Sequence, residues 1–316
     1  MNVLITGADG FIGRKLIERL LATDAETVLG KPVKTLTLLD QRFAAVATDS
    51  RVTQVEGDLG SEQTLLRACL ARPDLVFHLA SIPGGAATKN FELGLRVNLE
   101  ATIALLEVLR QQGNKPRVVF ASTIGVYGVP MPEVIDEDTL PEPSMSYGAH
   151  KWIGEILISD YSLRGFIDGR SLRLPGIVSR PPAPSGMLSA FLSDMIRELW
   201  AGRSFTCPVG AEGRAWWMSR PCVVDNILHA ASLDPAVAAA RRTWLLPVMH
   251  ASMEEVVGAI ARQRGDRVLG NVRYERNEAL QAQFANLPPL RCPKSLAAGF
   301  RNDGTLESLV QRALEA

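Results

Sequence analysis

The first thirteen residues, which lead into a helix, constrain the fold of this chain most strongly. Residues 3–5 are apolar and β-rich, residues 6–10 hold a glycine turn, and residues 11–21 show the apolar spacing of an amphipathic helix. A strand, a glycine turn and a helix in this order form the phosphate-binding start of a dinucleotide fold. The sequence therefore predicts a nucleotide site near its amino-terminal end.

The three glycines of this segment have the spacing GxxGxxG. Gly7 suits a tight turn, Gly10 lets the backbone approach a pyrophosphate, and Gly13 lets the helix pack closely on the sheet. Phe11 and Ile12, between the last two glycines, complete the predicted phosphate-binding segment. The alternative is a strand–helix turn that binds nothing, but the context on both sides favours the cofactor.

Further apolar runs alternate with helical patterns and predict an α/β fold with a Rossmann-type, doubly wound parallel sheet. These strand-like runs are residues 36–39, 52–56, 75–80, 117–120 and 171–174. Residues 223–225 with their helix, and then residues 243–246, predict a return to the main sheet.

The chain is therefore expected to divide in two. Residues 1–175 plus 221–250 would form the nucleotide-binding domain, and residues 176–220 plus 251–316 would form a smaller substrate-binding region.

Charge and cysteine content exclude several classes of function. The chain has 34 lysines and arginines against 34 aspartates and glutamates, so no overall field favours nucleic acid or an anionic membrane. No apolar run approaches the roughly 20 residues of a membrane span, and residue 1 leads directly into a strand, so neither a membrane anchor nor a signal peptide is expected. The four cysteines lie far apart without metal-ligand spacing, which predicts reduced thiols, no metal and a cytoplasmic location.

Two aspartates follow predicted strands at positions suited to the adenosine half of a dinucleotide. Asp40 ends the second strand, where it can accept hydrogen bonds from the ribose hydroxyls and would repel a 2′-phosphate, so it predicts NAD rather than NADP. Asp58 can bond the adenine amino group while Leu59 packs on the ring. The alternatives are a capping or loop aspartate at 40 and a turn aspartate that starts a helix at Ser61.

The fourth strand is apolar apart from one histidine and is predicted to be buried on both faces. Residues 80–85 leave its carboxyl end, where a cofactor would lie, and Leu79, Ala80 and Ser81 are included among the cofactor contacts. His78 lies inside the run and is interpreted as structural. Asn98, within a long helix predicted over residues 91–109, is included among the cofactor contacts.

Hydroxyl and amine side chains follow the fifth strand. Ser122 and Thr123 come at its end, and Tyr147 and Lys151 lie at positions i and i+4 of the next helix, on one face. Taken alone, the Tyr147–Lys151 pair could be a solvated helix pair. Together with the other motifs it predicts a proton-transfer site.

As a set, these motifs resemble the extended short-chain dehydrogenase/reductase superfamily, which includes the NAD-dependent epimerases and dehydratases. The resemblance covers the chain to about residue 250. It implies that Tyr147 is the base, that Lys151 favours the phenolate and holds the nicotinamide ribose, and that Thr123 donates to the reacting oxygen, with Ser122 as the alternative donor. A free tyrosine has a pKa of about 10, so activity near neutrality requires a lower value.

The resemblance also extends to a subgroup. The segments 134–143, 173–175 and 217–219 look like those of the D-erythronate dehydrogenase family, in which NAD oxidises C2 of a small sugar acid. Pro175 is included among the cofactor contacts. Gly176 and Met218 stand where epimerases carry an asparagine motif and a diphosphate-binding arginine. The alternatives are a nucleotide-sugar epimerase or reductase, and a catalytically silent NAD sensor or scaffold, against which the intact Thr123-Tyr147-Lys151 set argues.

A sugar-acid substrate requires a group that binds its carboxylate. Arg214 and Arg220 flank two tryptophans and are the candidate anchors, with Ser81, Thr123 and Tyr147 completing the predicted substrate contacts. The alternative for both arginines is ordinary surface charge. By analogy with the superfamily, the helices over residues 91–109 and 151–163 predict a homodimer.

Overall fold

The computed structural model describes residues 1–22, 30–178, 180 and 188–315. Residues 179 and 181–187, which belong to the predicted substrate-binding region, lie outside the described residues.

The chain divides into two units. The first comprises Met1–Tyr127, Pro141–Arg173 and Ile227–Trp244, and the second comprises Gly128–Leu140, Leu174–Asn226 and Leu245–Ala316. Residues 128–140 thus group with the second unit, and the segment returning to the first unit is shorter than the predicted 221–250.

The described strands follow in chain order. They are β1 (Asn2–Thr6), β2 (Thr35–Asp40), β3 (Val52–Glu56), β4 (Leu75–His78), β5 (Arg117–Thr123), β6 (Ile135–Asp136), β7 (Asp168–Leu174), β8 (Gly176–Val178), β9 (Phe205–Cys207), β10 (Arg214–Ser219), β11 (Thr243–Leu245), β12 (Met249–Ser252), β13 (Val272–Tyr274) and β14 (Leu290–Arg291).

The described helices are α1 (Phe11–Leu21), α2 (Glu62–Ala68), α3 (Gly84–Lys89), α4 (Phe91–Leu95), α5 (Ala101–Gln112), α6 (Ser146–Leu163), α7 (Ala190–Trp200), α8 (Arg220–Ser232), α9 (Pro235–Ala240), α10 (Met253–Arg264), α11 (Arg267–Gly270), α12 (Glu278–Phe284), α13 (Pro293–Ala297) and α14 (Leu306–Leu314). A π-helical segment, Arg96–Glu100, joins α4 to α5, and a 3₁₀ turn, Ile124–Val126, follows β5.

The main sheet confirms the predicted Rossmann-type fold. Within the described residues its strand order is β11-β7-β5-β4-β1-β2-β3, and the pairs β1–β2, β2–β3, β1–β4 and β4–β5 are parallel. The chain runs outward from β1 to β3 and then returns to β4 on the other side of β1. A crevice therefore forms at the carboxyl ends of β1 and β4, the usual ligand position in an open α/β sheet.

Apolar side chains on one face of this sheet form a buried cluster in the first unit. Leu4, Val76 and Val118 pack there with Leu105 of α5 and Ile158 of α6. Every residue of β4 is buried, as its composition predicts for a parallel strand covered on both faces. This packing fixes the strand ends at which the site is built.

Two predicted elements differ from the structure. The helix predicted over residues 91–109 consists of α4, the π-helical segment and α5, which ends at Gly113 in the left-handed conformation, with φ of +69°. Residues 223–225 lie inside helix α8, whereas residues 243–245 form β11 at the edge of the main sheet, as predicted.

The second unit has its own core. Three described strands form a sheet in the order β12-β10-β8, and the pairs β13–β9 and β14–β6 add short ladders. Its buried cluster includes Met195 of α7, Trp217 of β10, Ile260 of α10 and Leu309 of α14. None of the described helices is long and apolar enough to cross a membrane. The four cysteines are buried and free.

Candidate active site

The glycine turn after β1 is held in very close contact with its surroundings. Gly7 has a φ of +70°, and a Cβ on it would lie 2.7 Å from the backbone nitrogen of Ala80 at the end of β4. A Cβ on Gly13 would lie 2.4 Å from the carbonyl oxygen of Gly7. Larger side chains are therefore excluded at both positions, and α1 packs directly on the turn.

The amino-terminal end of α1 suits an anion. Gly10 is the N-cap and has no side chain with which to cap the helix, and the first turn contains no acidic residue. The first backbone N–H groups of a helix and the positive end of its dipole favour a phosphate at such a position. Phe11, Ile12 and Gly13 form this first turn.

A cleft of about 300 Å³ opens at these strand ends. It is lined by Gly7, Asp9, Gly10, Leu39, Asp40, Gln41, Gly57, Asp58, Leu59, Leu79, Ala80, Ser81, Ile82 and Val97. Eight of the predicted cofactor-binding residues are thus brought together in one cleft: Gly7, Gly10, Asp40, Asp58, Leu59, Leu79, Ala80 and Ser81. The arrangement fits an extended dinucleotide, with a helix amino terminus for the pyrophosphate and carboxylates on the β2–β3 side.

Asp40 lies at the end of β2 with its carboxylate held by the backbone. The N–H of Asp9 donates to Oδ2 at 2.8 Å, and the N–H of Gln41 donates to Oδ1 at 2.7 Å. Partial burial raises the pKa of Asp40, against the lowering effect of these two donors. The side chain is therefore fixed in place beside the cleft.

The carboxylate of Asp58 has two partners within the protein. It accepts from the N–H of Gly60 at 2.9 Å and forms an ion pair with Arg96, the first residue of the π-helical segment. Leu59 beside it is buried. The ion pair ties the π-helical segment to the same part of the cleft.

A hydrogen-bonded chain supports the end of β4. The ring nitrogens of His78 lie 2.7 Å from Thr6 Oγ1 and 2.9 Å from Thr102 Oγ1. Burial, with a smaller effect of the Lys151 charge, lowers the pKa of His78 to about 3, so this ring is neutral near pH 7. Asn98 accepts from the N–H of Ile82 at 2.7 Å and donates to its carbonyl. Asn98 thus holds the backbone of the loop after β4. It lies in the π-helical segment and not in a continuous α-helix.

The two hydroxyls at the end of β5 have different partners. Ser122 is buried and donates to Glu155 Oε1. Thr123 Oγ1 accepts from the N–H of Gly125 at 3.0 Å, which leaves its own proton available for another acceptor. Thr123 is therefore the better placed of the two to donate to a substrate.

The start of α6 packs against the turn that follows Thr123. A Cβ on Gly148 would lie only 2.0 Å from the carbonyl oxygen of Gly125. A Cβ on Gly125 would lie 3.3 Å from Thr123 Oγ1 and 3.8 Å from Tyr147 Cδ1, so both side chains border this glycine. The Tyr147 ring also lies next to Gly84, just after the cleft residues Ser81 and Ile82.

Lys151 is one turn further along α6 and is almost completely buried. Its Nζ lies 4.7 Å from the centre of the Phe120 ring in β5, and burial lowers the pKa of Lys151 to about 7. The same Phe120 ring stacks on His78 with centres 5.5 Å apart. Phe120 therefore links the lysine to the hydrogen-bonded chain under β4.

A buried polar network that includes Ser122 was not predicted. Arg173 in β7 pairs with Glu155, with Nη2 2.7 Å from Oε2, and donates from Nη1 to the hydroxyl of Tyr127 at 2.7 Å. Ser122 shares the Glu155 carboxylate. The only sequence signals are the Glu155 position four residues after Lys151 and an arginine inside an apolar strand.

Three predicted residues belong to the second unit. Pro175 is buried between β7 and β8. Arg214, at the start of β10, forms an ion pair with Glu255 at 3.1 Å, and both side chains are nearly half exposed. Arg220, at the start of α8, donates to the carbonyl oxygen of Glu315 at 3.2 Å. Trp216 and Trp217, which lie between these arginines in the sequence, are fully buried in β10.

Several cleft residues were missed by the sequence reasoning. Asp9, Gln41, Ile82 and Val97 all line the cleft. Asp9 lies inside the glycine turn and Gln41 follows Asp40, so proximity to a motif could have indicated both. Val97 lies in the π-helical segment, which no sequence pattern predicted.

Comparison with known proteins agrees with this fold and cleft. The model of the NAD dependent epimerase/dehydratase family matches residues 3–218, and the chain belongs to that family. It is an NAD-dependent oxidoreductase with NAD as its cofactor. The resemblance to the extended short-chain dehydrogenase/reductase superfamily is thereby confirmed.

Relatives of known name cover its whole length. The chain is 39% identical to D-erythronate dehydrogenase of Cupriavidus necator, over 100% of this chain and 98% of that one. It is 32% identical to D-erythronate dehydrogenase of Haemophilus influenzae, over 100% of this chain and 99% of that one. A solved structure described as a nucleoside-diphosphate-sugar epimerase from Agrobacterium tumefaciens superposes with a TM-score of 0.91 at 34% identity, covering 98% and 92% of the two chains.

Proposed function

We propose that this protein is an NAD-dependent dehydrogenase that oxidises C2 of a small sugar acid, such as D-erythronate, to the 2-oxo acid. The observation that carries the proposal is the grouping of Thr123 and Tyr147 around Gly125, with Lys151 one helical turn away, in a chain that matches two D-erythronate dehydrogenases over its full length.

The proposed chemistry needs a proton acceptor and a hydrogen-bond donor at the same hydroxyl. Tyr147 takes the proton of the C2 hydroxyl, and Thr123 donates to the same oxygen through the proton that its contact with Gly125 leaves available. NAD, when bound, accepts the hydride that leaves C2. Ser122 donates its hydrogen bond to Glu155, so it is proposed to support the site and not to bind the reacting oxygen.

Lys151 is proposed to serve both the base and the cofactor. A positive charge one turn from Tyr147 favours the phenolate, and the ammonium group can donate to the ribose hydroxyls of the nicotinamide half. Because burial lowers the pKa of Lys151 to about 7 in the cofactor-free protein, the oxygens of bound NAD would favour its charged form. Cofactor binding would thus help to prepare the site for proton transfer.

The remaining cofactor contacts follow the cleft. We propose that the glycine turn and the first turn of α1, Phe11–Gly13, hold the pyrophosphate, that Asp40 accepts from the adenosine ribose, and that Asp58 and Leu59 border the adenine. Leu79, Ala80 and Ser81 would line the nicotinamide side, with Asn98 fixing their loop. Pro175 remains a proposed contact.

The substrate carboxylate needs a cationic partner. Arg214 and Arg220 remain the proposed anchors, and each would exchange a present partner, the Glu255 carboxylate or the Glu315 carbonyl, for the substrate. The Arg214 pair is nearly half exposed, so its contribution to stability is small and the exchange costs little.

A second candidate is a nucleotide-sugar epimerase or reductase. The similarity to the Agrobacterium tumefaciens structure, described as a nucleoside-diphosphate-sugar epimerase, favours it. An epimerase of this kind would retain NAD through turnover and show no net reduction of the cofactor.

A substrate panel separates the two. The purified protein is incubated with NAD and four-carbon aldonates, the corresponding uncharged polyols, or nucleotide sugars, and NADH is followed by its absorbance. We expect NADH formation with an aldonate and slow reaction with its polyol. Alanine at the true anchor should raise KM for the aldonate about tenfold or more, the scale of one ionic hydrogen bond, and should change the polyol rate little.

The sugar-acid proposal is wrong if no aldonate reduces NAD and both arginine variants behave as the wild type, while a UDP- or TDP-sugar protects the protein against heating. In that case the epimerase proposal takes its place.

The protein is also proposed to form a homodimer through α5 and α6. Ile153, Ile156 and Leu163 of α6 are spaced to lie on one side of the helix and are 38%, 53% and 81% exposed. Ile103 of α5 is 38% exposed as well. A second copy of the chain would cover this apolar surface.

A further inference from the structure

Asp9 and Arg14 form a tight pair at the edge of the cofactor cleft. Arg14 donates to the Asp9 carboxylate from Nε at 3.1 Å and from Nη2 at 2.8 Å, and Nε also lies 2.8 Å from the Asp9 carbonyl. The N–H of Ala44 adds a contact to Asp9 Oδ2 at 3.3 Å. The Asp9 side chain thus holds two donors, one of them cationic.

The same residue is joined to Asp40. The backbone N–H of Asp9 donates to Asp40 Oδ2 at 2.8 Å, and both residues line the cleft. A phosphate on the ribose hydroxyl bound by Asp40 would therefore lie beside Asp9 and Arg14. The three side chains together carry two negative charges and one positive charge, so the site has a net charge of about −1.

Removing Asp40 alone leaves this part of the cleft unsuited to a phosphate. The net charge becomes about zero, but the Arg14 guanidinium remains engaged by Asp9, and the Asp9 carboxylate would still repel the phosphate. Removing the Asp9 charge as well leaves Arg14 as a cation without its carboxylate. Arg14 is 53% exposed and so has room to turn toward a phosphate.

We propose that Asp9 is a second determinant of the choice of NAD over NADP, because it occupies the arginine that would otherwise bind the 2′-phosphate. Asp40 excludes the phosphate directly, and Asp9 withholds its cationic partner. The inference rests on the proposed placement of Asp40 at the adenosine ribose. It does not depend on which substrate is oxidised.

Calorimetric titration of the full-length protein with NAD or NADP, without substrate, tests the proposal. Asp40→Ser should weaken NAD binding and leave NADP binding weak. Adding Asp9→Asn should tighten NADP binding about tenfold or more relative to Asp40→Ser, as one charge-assisted hydrogen bond provides. Adding Arg14→Gln to that double variant should abolish the gain.

The matched control removes an equal charge elsewhere. Asp49 pairs with Arg51 at 2.7 Å just before β3, at the opposite ends of the strands from the cleft. Asp49→Asn added to Asp40→Ser should therefore leave NADP binding unchanged. Thermal melting checks that each variant is folded, and Asp9→Ser replaces Asp9→Asn if the latter unfolds.

Three results would overturn the proposal: no NADP gain in the folded double variant, an equal gain from Asp40→Ser alone, or a gain that survives Arg14→Gln. Unchanged NAD affinity in Asp40→Ser would instead show that Asp40 does not contact the ribose. Failure of the sugar-acid assay affects none of these binding measurements.

Discussion

The two hydroxyls at the end of β5 differ in what they can do for catalysis. Ser122 is committed to Glu155, whereas Thr123 only accepts from Gly125, so the adjacent residues divide between support and chemistry. The sequence could not separate them, because the distinction depends on Glu155, 33 positions away. The buried polar residues that hold Ser122 lie in α6, which supplies Glu155, and in β7, which supplies its partner Arg173.

Tyr147→Phe tests the proposed base. The variant keeps the ring against Gly84 but removes the proton acceptor, so turnover should fall by about 100-fold or more while NAD affinity changes little. Steady-state rates and cofactor titration measure the two effects. Tyr161→Phe is the matched control on the same helix, since its hydroxyl is bonded to Glu107 rather than to a site residue, and it should retain normal turnover. Near-normal turnover in Tyr147→Phe would contradict the assignment.

The burial of Lys151 predicts a pH-dependent effect on stability. Its pKa falls from 10.5 in an exposed lysine to about 7 in the folded protein, so folding disfavours the charged form. The unfolded chain binds more protons between pH 7 and pH 10.5, and stability from this group therefore rises with pH across that window. Below pH 7 the buried charge carries its full cost.

Lys151→Met should consequently stabilise the cofactor-free protein most near pH 6, and the gain should shrink as the pH approaches 10. Chemical unfolding at several pH values measures it. Lys34→Met, in a more exposed position outside the helices, is the control and should show no such trend. A gain in Lys151→Met that does not change with pH would mean that folding leaves the pKa of the lysine unshifted and that the buried side chain stays charged.

At the scale of whole elements, close backbone contacts set the positions of the site residues. The start of α6 can approach the 3₁₀ turn after β5 only because Gly148 has no side chain, and α1 can approach the first turn only because of Gly13. Both glycines therefore position residues that neighbour them in the chain, Tyr147 in one case and the phosphate-binding segment in the other.

Gly148→Ala should impair catalysis more than folding. Its Cβ would lie 2.0 Å from the Gly125 carbonyl oxygen, so α6 must shift away from the turn and carry Tyr147 with it. We expect turnover to fall at least tenfold, because a small misplacement of a catalytic group slows a reaction by a factor of this size or more. Gly258→Ala in α10 is the matched control, because its Cβ meets only the flexible end of Arg262 at 3.4 Å, and it should stabilise the protein by about 1 kcal/mol. Equal turnover in the two variants would exclude the positioning role.

Local motifs could be predicted from the sequence and long-range partners could not. The glycine turn and Asp40 depend on residues close in the chain, and the sheet places them in the same cleft because their strands are neighbours. No sequence pattern predicted the π-helical segment, because the ion pair that holds it joins Arg96 to Asp58, 38 positions away. Residues 223–225 are β-branched and acidic like a strand end, but helix packing overrides that local preference in α8.

At the scale of the whole molecule, the proposed dimer places a second copy of the chain on the exposed apolar side of α5 and α6. Ile156 is 53% exposed and Leu163 is 81% exposed, on helices whose opposite sides pack into the core of the first unit. Placing a charge at the centre of this surface should prevent a second copy from covering it, because the carboxylate would be buried without a partner.

Ile156→Glu should therefore convert the proposed dimer into a monomer, as measured by light scattering after size-exclusion chromatography. Leu269→Glu is the matched control: Leu269 is 52% exposed, belongs to α11 of the second unit, and should leave the assembly unchanged. Because α6 also carries Tyr147 and Lys151, a fall in turnover on dilution of the wild type would link dimerisation to the site. A wild-type protein that is monomeric at all concentrations, or an Ile156→Glu dimer, would contradict the proposed surface.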